Sequence, residues 1–136
     1  MPKVIGFDTG FFIRLTAAHP VATSVWQTVI DGKAEAVASC LTLFELKRLA
    51  LQSRIKAERE AELQRIIPHV CRVLWIDAER QGILFAGAKA SHTFGIPAMD
   101  ALILESLVAA KAREIYTSDP DMERYKNKSV KIIRLT

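Results

Sequence analysis

The sequence predicts an α/β fold in which a parallel sheet is covered by helices on both faces. Strand-like apolar runs alternate with helix-like segments along the chain, which is typical of parallel sheets. Half of the 136 residues are hydrophobic, so the chain can bury a sizeable core. The length suits a single domain, residues 1–136, and no linker, repeat or low-complexity segment divides it.

Five segments have the apolar character of buried strands. In chain order they span residues 3–7, 35–40, 72–76, 114–118 and 129–135. Trp75 lies within the third of these segments, and Trp26 lies on an apolar helix stripe, so we expect both indole rings in the core.

Six segments carry helical signals. They span residues 9–17, 20–31, 42–53, 56–70, 77–95 and 98–113. Pro20 suits the first turn of the second helix, and Gly32 is placed to end it. Thr42 and Glu45 have the spacing of a capping box at the start of the third helix. Asp77 is the predicted cap of the long fifth helix.

The charge balance and the cysteines restrict the class of protein. The net charge of +4 is compatible with a nucleic-acid partner but does not establish one. Cys40 and Cys71 lack metal-ligand spacing, so we interpret them as buried free thiols of a reducing cytosol. The sequence shows neither a secretory leader nor a run of about 18 apolar residues, so we expect a cytoplasmic protein that does not enter a membrane.

Most of the 15 acidic residues lie where water should reach them. Glu58, Glu60 and Glu62, for example, occupy a charged helix and are expected to form a solvated face. Four acidic residues instead interrupt apolar patterns. They are Asp8, Glu45, Asp100 and Asp119.

Each of these four acids has an ordinary structural explanation when it is taken alone. Asp8 follows the first strand and suits the N-cap of a helix that begins at Thr9, or a turn. Glu45 suits a capping box, Asp100 suits the first turn of its helix, and Asp119 suits the cap of a short turn.

Taken together, the four acids favour a metal site. Ligands of open parallel sheets bind beyond the carboxyl ends of the strands, and all four acids are expected at that edge. Like charges at close range do not all stay ionised without a cation. Oxygen ligands without a His or Cys cluster favour Mg²⁺ or Mn²⁺ over zinc. Such an ion supports phosphodiester hydrolysis and would explain why Asp8 is tolerated between two apolar runs.

Two other enzyme classes share part of this pattern. The segment "FDTG" resembles the Asp-Thr-Gly of aspartic proteases, but that site needs two such aspartates in an all-β frame. Haloacid-dehalogenase-like phosphatases also place an Asp after the first strand, but they expect a second Asp where this chain has Gly10.

Four segments in order resemble the PIN domain family, and within it the VapC-like toxins of toxin–antitoxin pairs. They are "VIGFDTGFFI", "LTLFELKRL", "GIPAMDALIL" and "IYTSDPDM", which together extend over most of the chain. The resemblance implies a three-layer α/β/α sandwich around a parallel sheet of about five strands. It also implies an Mg²⁺- or Mn²⁺-dependent ribonuclease, a small antitoxin partner and a homodimer.

The resemblance assigns roles to individual residues. Asp8, Glu45, Asp100 and Asp119 match the acidic positions of the family and are the expected catalytic residues, with Asp8, Asp100 and Asp119 as metal ligands. The supporting positions are Thr9 and Thr117, which match small hydroxyl residues, and Asp121, which matches an acid that some members carry. Arg14, Lys47 and Arg48 are candidate contacts to the RNA backbone.

Two alternatives remain open within the same fold. The domain could be a non-catalytic RNA-binding or interaction module, although loss of activity should remove the costly like charges. It could also be an RNA-processing nuclease rather than a toxin. The homodimer expectation also has a basis in the residues, because the first two helices, "FFIRL" and "VATSVWQTVI", carry more apolar side chains than a small core requires.

Overall fold

The computed structural model describes residues 2–136 and has five strands and six α-helices in that range. The strands are β1 (Lys3–Phe7), β2 (Ala34–Ser39), β3 (Arg72–Leu74), β4 (Glu114–Thr117) and β5 (Lys131–Arg134). The helices are α1 (Thr9–Thr16), α2 (Pro20–Ile30), α3 (Cys40–Leu51), α4 (Ala57–Val70), α5 (Gly82–Phe94) and α6 (Ala98–Ala109). Short 3₁₀ helices span Ala78–Arg80 and Pro120–Arg124. None of the helices in residues 2–136 combines the length and the hydropathy needed to cross a bilayer.

The strands form one parallel sheet in the order β3-β2-β1-β4-β5. The α/β fold with a five-stranded parallel sheet is therefore confirmed. Because every strand runs in the same direction, all five carboxyl ends lie along one edge of the sheet. β1 occupies the centre, between β2 and β4, so segments that follow these three strands are neighbours at that edge.

The core has one apolar cluster on each face of the sheet. Alternate residues of β2 belong to different clusters, since Ala36 and Ala38 pack with α1, α2 and α4 while Val37 packs with α5 and α6. On the first face the rings of Phe7 and Phe11 stack at 3.7 Å between centroids. These two clusters give the three-layer sandwich that the sequence predicted.

The start of α3 differs from the sequence prediction. Ser39 is the N-cap, because its Oγ accepts a hydrogen bond from Leu41 N at 3.1 Å. The helix therefore begins at Cys40, and Thr42 lies inside it rather than capping it. Glu45 consequently lies in the second turn, so the predicted capping box is wrong.

The predicted helix over residues 77–95 is two elements. Asp77 accepts a hydrogen bond from Glu79 N at 3.0 Å and caps only the 3₁₀ helix. α5 begins afterwards, at Gly82, and ends at Phe94. The next residue, Gly95, has a φ of 66°, the left-handed conformation that glycine adopts without strain.

Burial corrects three further expectations. Trp75 is 59% exposed, because β3 already ends at Leu74. Glu60 is 2% exposed and is not part of a solvated face. Phe11 and Phe12 are completely buried, so the apolar residues of α1 belong to the core of the chain itself.

The two cysteines are free thiols, as the sequence predicted. Cys71 is buried, and burial raises the pKa of its thiol to about 12. Cys40 is only half-buried, because it stands at the first position of α3 rather than inside β2.

Candidate active site

Four carboxylates lie together at the carboxyl edge of the sheet. Asp8 directly follows β1, and Asp119 lies two residues beyond β4, the strand paired with β1. Glu45 and Asp100 come from the N-terminal halves of α3 and α6. Their negative charges are close enough to act on one another, since the charges of Asp119, Glu45 and Asp8 all raise the pKa of Asp100.

The side chain of Asp8 accepts two hydrogen bonds, and the residue is 3% exposed. Its Oδ1 accepts from Phe11 N at 2.9 Å, which makes Asp8 the N-cap of α1. Its Oδ2 accepts from the hydroxyl of Thr117. Burial, and to a smaller extent the charges of Asp119 and Glu45, raise the pKa of Asp8 to about 6 against the opposing effect of these hydrogen bonds.

Thr117 connects Asp8 to the segment that carries Asp119. Its hydroxyl donates to Asp8 and accepts from Asp119 N at 2.9 Å. Asp119 Oδ1 in turn accepts from Asp121 N at 2.9 Å, which caps the 3₁₀ helix that follows. A buried threonine thus fixes the spacing between two of the acids.

Asp100 and Asp119 form a carboxyl pair. Burial is the largest cause that raises the pKa of Asp100 to about 7, followed by a hydrogen bond with Asp119 and by the nearby negative charges. Two carboxyl groups hydrogen-bond only when one of them holds a proton. Asp100 therefore binds its proton more tightly than an ordinary carboxyl group does, up to about pH 7.

Glu45 is oriented by Thr9, the first residue of α1. The hydroxyl of Thr9 donates to Glu45 Oε1 at 2.6 Å and contacts the hydroxyl of Thr42 at 3.2 Å. The sequence reasoning missed Thr42 at this place, because it assigned Thr42 to a helix cap. The available signal was the three-residue spacing from Glu45, which puts both side chains on one face of a helix.

The remaining predicted site residues have other partners or are free on the surface. Asp121 forms an ion pair with Arg124 at 3.0 Å. Lys47 forms an ion pair with the buried Glu60 at 2.7 Å. Arg14 and Arg48 are exposed, on α1 and α3.

The carboxylates are neighbours but are not a preformed cage. Within residues 2–136, no group of three or more His, Cys, Asp or Glu side chains is arranged to hold a metal ion. Two oxygens of the set, on Asp8, are already hydrogen-bonded, and one oxygen of Glu45 accepts from Thr9. Each carboxylate oxygen has a second lone pair, so these hydrogen bonds leave Asp8 and Glu45 able to bind a cation as well.

The PIN domain family model matches residues 5–128. The chain belongs to the PIN domain family. The matched range begins in β1 and extends past the 3₁₀ helix that Asp119 caps, so all four acids lie inside the PIN domain. Among curated proteins, none matches this chain in sequence.

Solved structures with a similar fold include several toxin–antitoxin complexes. VapBC2 from Rickettsia felis, bound to a DNA fragment from its promoter, has a TM-score of 0.73 and 14% identity, covering 98% of this chain and 99% of its own. VapBC-1 from nontypeable Haemophilus influenzae has a TM-score of 0.69 and 17% identity, covering 97% and 98%. VapBC-5 from Mycobacterium tuberculosis has a TM-score of 0.63 and 18% identity, covering 98% and 99%. At such identities the likeness establishes the PIN fold.

Proposed function

We propose that this PIN domain protein is an endoribonuclease that uses Mg²⁺ or Mn²⁺ to hydrolyse RNA phosphodiesters. The observation that carries the proposal is the convergence of four carboxylates at the carboxyl edge of the sheet, where their charges act on one another. Repulsion between acidic side chains destabilises a protein. Its occurrence at the edge where α/β sheets bind ligands therefore favours a functional site there.

The donor set suits a hard divalent cation. It consists of carboxylate oxygens, and a positive charge among them would oppose the burial and the neighbouring negative charges that together raise the pKa values of Asp8 and Asp100. We assign Asp8, Asp100 and Asp119 as the ligands and Glu45 as the fourth catalytic carboxylate. The chemistry that a divalent cation supplies when bound to such a set is neutralisation of phosphate charge and activation of water.

The side chains of the protein have separate roles in this proposal. Thr117 holds Asp8 through its hydroxyl, and Thr9 holds Glu45 in the same way. A bound cation would favour the carboxylate form of Asp100, because its positive charge would oppose the surroundings that raise the pKa of Asp100. Arg14 and Arg48 are exposed and remain the proposed contacts to the RNA backbone, whereas Lys47 is already paired with Glu60.

Cleavage of a pool of structured RNAs tests the activity. We expect cutting in Mn²⁺ or Mg²⁺ and none in EDTA, and we expect Asp100→Asn to abolish it. Glu35→Gln is the matched control, because Glu35 is an exposed acid near the amino end of β2 that pairs with Arg72. If the parent cuts no RNA with metal, or cuts equally in EDTA, the enzymatic proposal fails and a non-catalytic RNA-binding module becomes the better explanation.

We further propose that the nuclease is the toxin of a VapBC-type pair and acts in the cytoplasm. Support comes from the toxin–antitoxin complexes among the structures of similar fold. The partner would be a small antitoxin encoded immediately upstream. We expect the product of the upstream gene to form a complex with this protein, and we expect the purified complex not to cut RNA. If no such gene lies upstream, an RNA-processing nuclease becomes the better explanation.

A homodimer is the last part of this proposal. Large apolar side chains that stay exposed lie on α2, on α3, after β3 and on α5. They are Val21, Ile30, Phe44, Leu51, Trp75, Leu84 and Phe85. A second copy would cover part of this surface. Sedimentation at micromolar concentration should give twice the 15.2 kDa of the chain, and a single 15.2 kDa species would reject the dimer.

A further inference from the structure

Thr42 lies behind the candidate active site and has no role in the function proposed so far. Its side chain is completely buried in α3, one helical turn before Glu45. The hydrogen-bond partner that the structure gives it is the hydroxyl of Thr9, at 3.2 Å. Buried hydroxyls are normally paired, so this contact accounts for how Thr42 is satisfied.

The direction of the two hydrogen bonds follows from proton count. Thr9 carries one hydroxyl proton, and its short contact of 2.6 Å to Glu45 Oε1 is the one to a carboxylate, which is the stronger acceptor. Thr9 therefore donates to Glu45, and in the 3.2 Å contact Thr42 donates to Thr9. The result is a chain of hydrogen bonds from Thr42 through Thr9 to Glu45.

We propose that Thr42 is a positioning residue for Glu45 that acts through Thr9, a role that rests on the nuclease function proposed above. Thr42 fixes the rotamer of the Thr9 hydroxyl, and Thr9 fixes Oε1 of Glu45 while leaving the other carboxylate oxygen free for the site. Thr117 provides a parallel, because its hydroxyl holds Asp8 while accepting a hydrogen bond from Asp119 N. Each relay uses a buried threonine to hold one acid.

If Thr42 acts through Thr9, the effects of substituting the two residues on kcat should not add. Thr42→Val keeps the side-chain shape but removes the hydroxyl, and we expect it to lower kcat by about 10- to 100-fold, as for residues that orient metal ligands. In a Thr9→Val background the same substitution should have no further effect, because the connection to Glu45 is already broken. Thr42→Ser keeps a hydroxyl and should restore activity to within a few-fold of the parent.

The control is Thr28→Val on α2, where the threonine hydroxyl donates to the Ser24 carbonyl in its own helix. It should leave kcat unchanged. Equal loss from Thr42→Val in the parent and Thr9→Val backgrounds would overturn the relay, since Thr42 would then act independently, by packing. If Thr42→Val does not fold, Thr42→Ala is compared in the parent and Thr9→Val backgrounds instead.

A readout without RNA separates this inference from the nuclease proposal. Glu45 is not one of the three assigned ligands, but its negative charge acts on Asp8 and Asp100 and so adds to the attraction for a cation, provided that its carboxylate is held in place. Mn²⁺ should therefore raise the melting temperature of the parent and of Thr28→Val equally, and that of Thr42→Val less. The melting temperatures can be compared even if the parent cuts no RNA. In that case the nuclease proposal fails, while the positioning role of Thr42 is still tested. An equal rise in parent and Thr42→Val would overturn the positioning role of Thr42.

Discussion

Replacing Asp100 with Asn removes one negative charge from the carboxylate cluster at almost unchanged size. In the native protein, burial, the hydrogen bond with Asp119 and the neighbouring charges raise the pKa of Asp100 from 3.8 to about 7. Between about pH 4 and pH 7 the native state therefore holds a proton that the unfolded chain has released. The stability of the parent falls as the pH rises through this window, and the loss is complete above about pH 7.

The size of the effect follows from that pKa difference. At ~1.4 kcal/mol for each pH unit, the rise from 3.8 to about 7 corresponds to about 4 kcal/mol. Water screens a half-buried carboxylate, and Asn alters the hydrogen bond with Asp119, so we expect a net gain of about 1–2 kcal/mol. For a chain of this length that gain raises the melting temperature by roughly 3–8 °C.

Thermal melts at pH 5 and pH 8 in EDTA, and at pH 8 with Mn²⁺, measure the effect. In EDTA, Asp100→Asn should melt above the parent at pH 8, and its advantage should shrink at pH 5, where Asp100 of the parent is protonated. Mn²⁺ at about 100 times its Kd should stabilise the parent by about 2.7 kcal/mol and the variant much less. Glu35→Gln should match the parent's response to pH and Mn²⁺.

The opposite pattern would refute the shared site. If Asp100 only complements the dipole of α6, Asn should lose roughly 0.5–1 kcal/mol in EDTA at pH 8. Mn²⁺ would then act equally on both proteins. A variant that is destabilised in EDTA and keeps the full response to metal would show that the four acids do not act as one site.

Three further substitutions test the packing of the fold by urea unfolding. Lys47→Met leaves the buried Glu60 carboxylate without its counter-ion and should cost about 1–3 kcal/mol, less than for a fully buried pair because Lys47 is 59% exposed; an unchanged midpoint would show that the pair contributes nothing. Gly10→Ala places a Cβ 2.2 Å from Ser118 Oγ and should cost about 1–2 kcal/mol, most of which Ser118→Ala should restore. Leu104→Ala should cost about 2–5 kcal/mol, because Leu104 is completely buried against both α5 and the sheet.

The order of strands and helices could be predicted because each element has its own hydrophobic periodicity and its own residues that favour a start or an end. The starts of α3 and α5 could not. Thr42 has the right chemistry for a cap, but Ser39 lies three residues earlier and has the same chemistry, so the sequence offers two equivalent starts. Asp77 does cap a helix, yet the 3₁₀ turn that it caps ends before Gly82.

Burial of individual side chains was harder to predict than the elements. Glu60 lies among charged residues of α4, and only the packing of α3 against α4 turns it inward towards Lys47. The sequence pattern predicts Trp75 within a buried strand. In the structure β3 is an edge strand of the sheet and ends one residue before Trp75. Both errors depend on which neighbour covers an element, and the local sequence does not encode that.

The position of Asp8 between two apolar runs has a structural explanation that does not exclude a metal. Its Oδ1 caps α1 and its Oδ2 accepts from Thr117, so hydrogen bonds already offset part of the cost of burial. They do not offset all of it, because the pKa of Asp8 still rises to about 6. An Asp that served only as a cap would gain from partial exposure to water and from distance to other acids. Asp8 has neither, since it is 3% exposed and the charges of Asp119 and Glu45 act on it. The cap explains how Asp8 is held in place, and the proposed cation would supply the opposite charge that the cap does not.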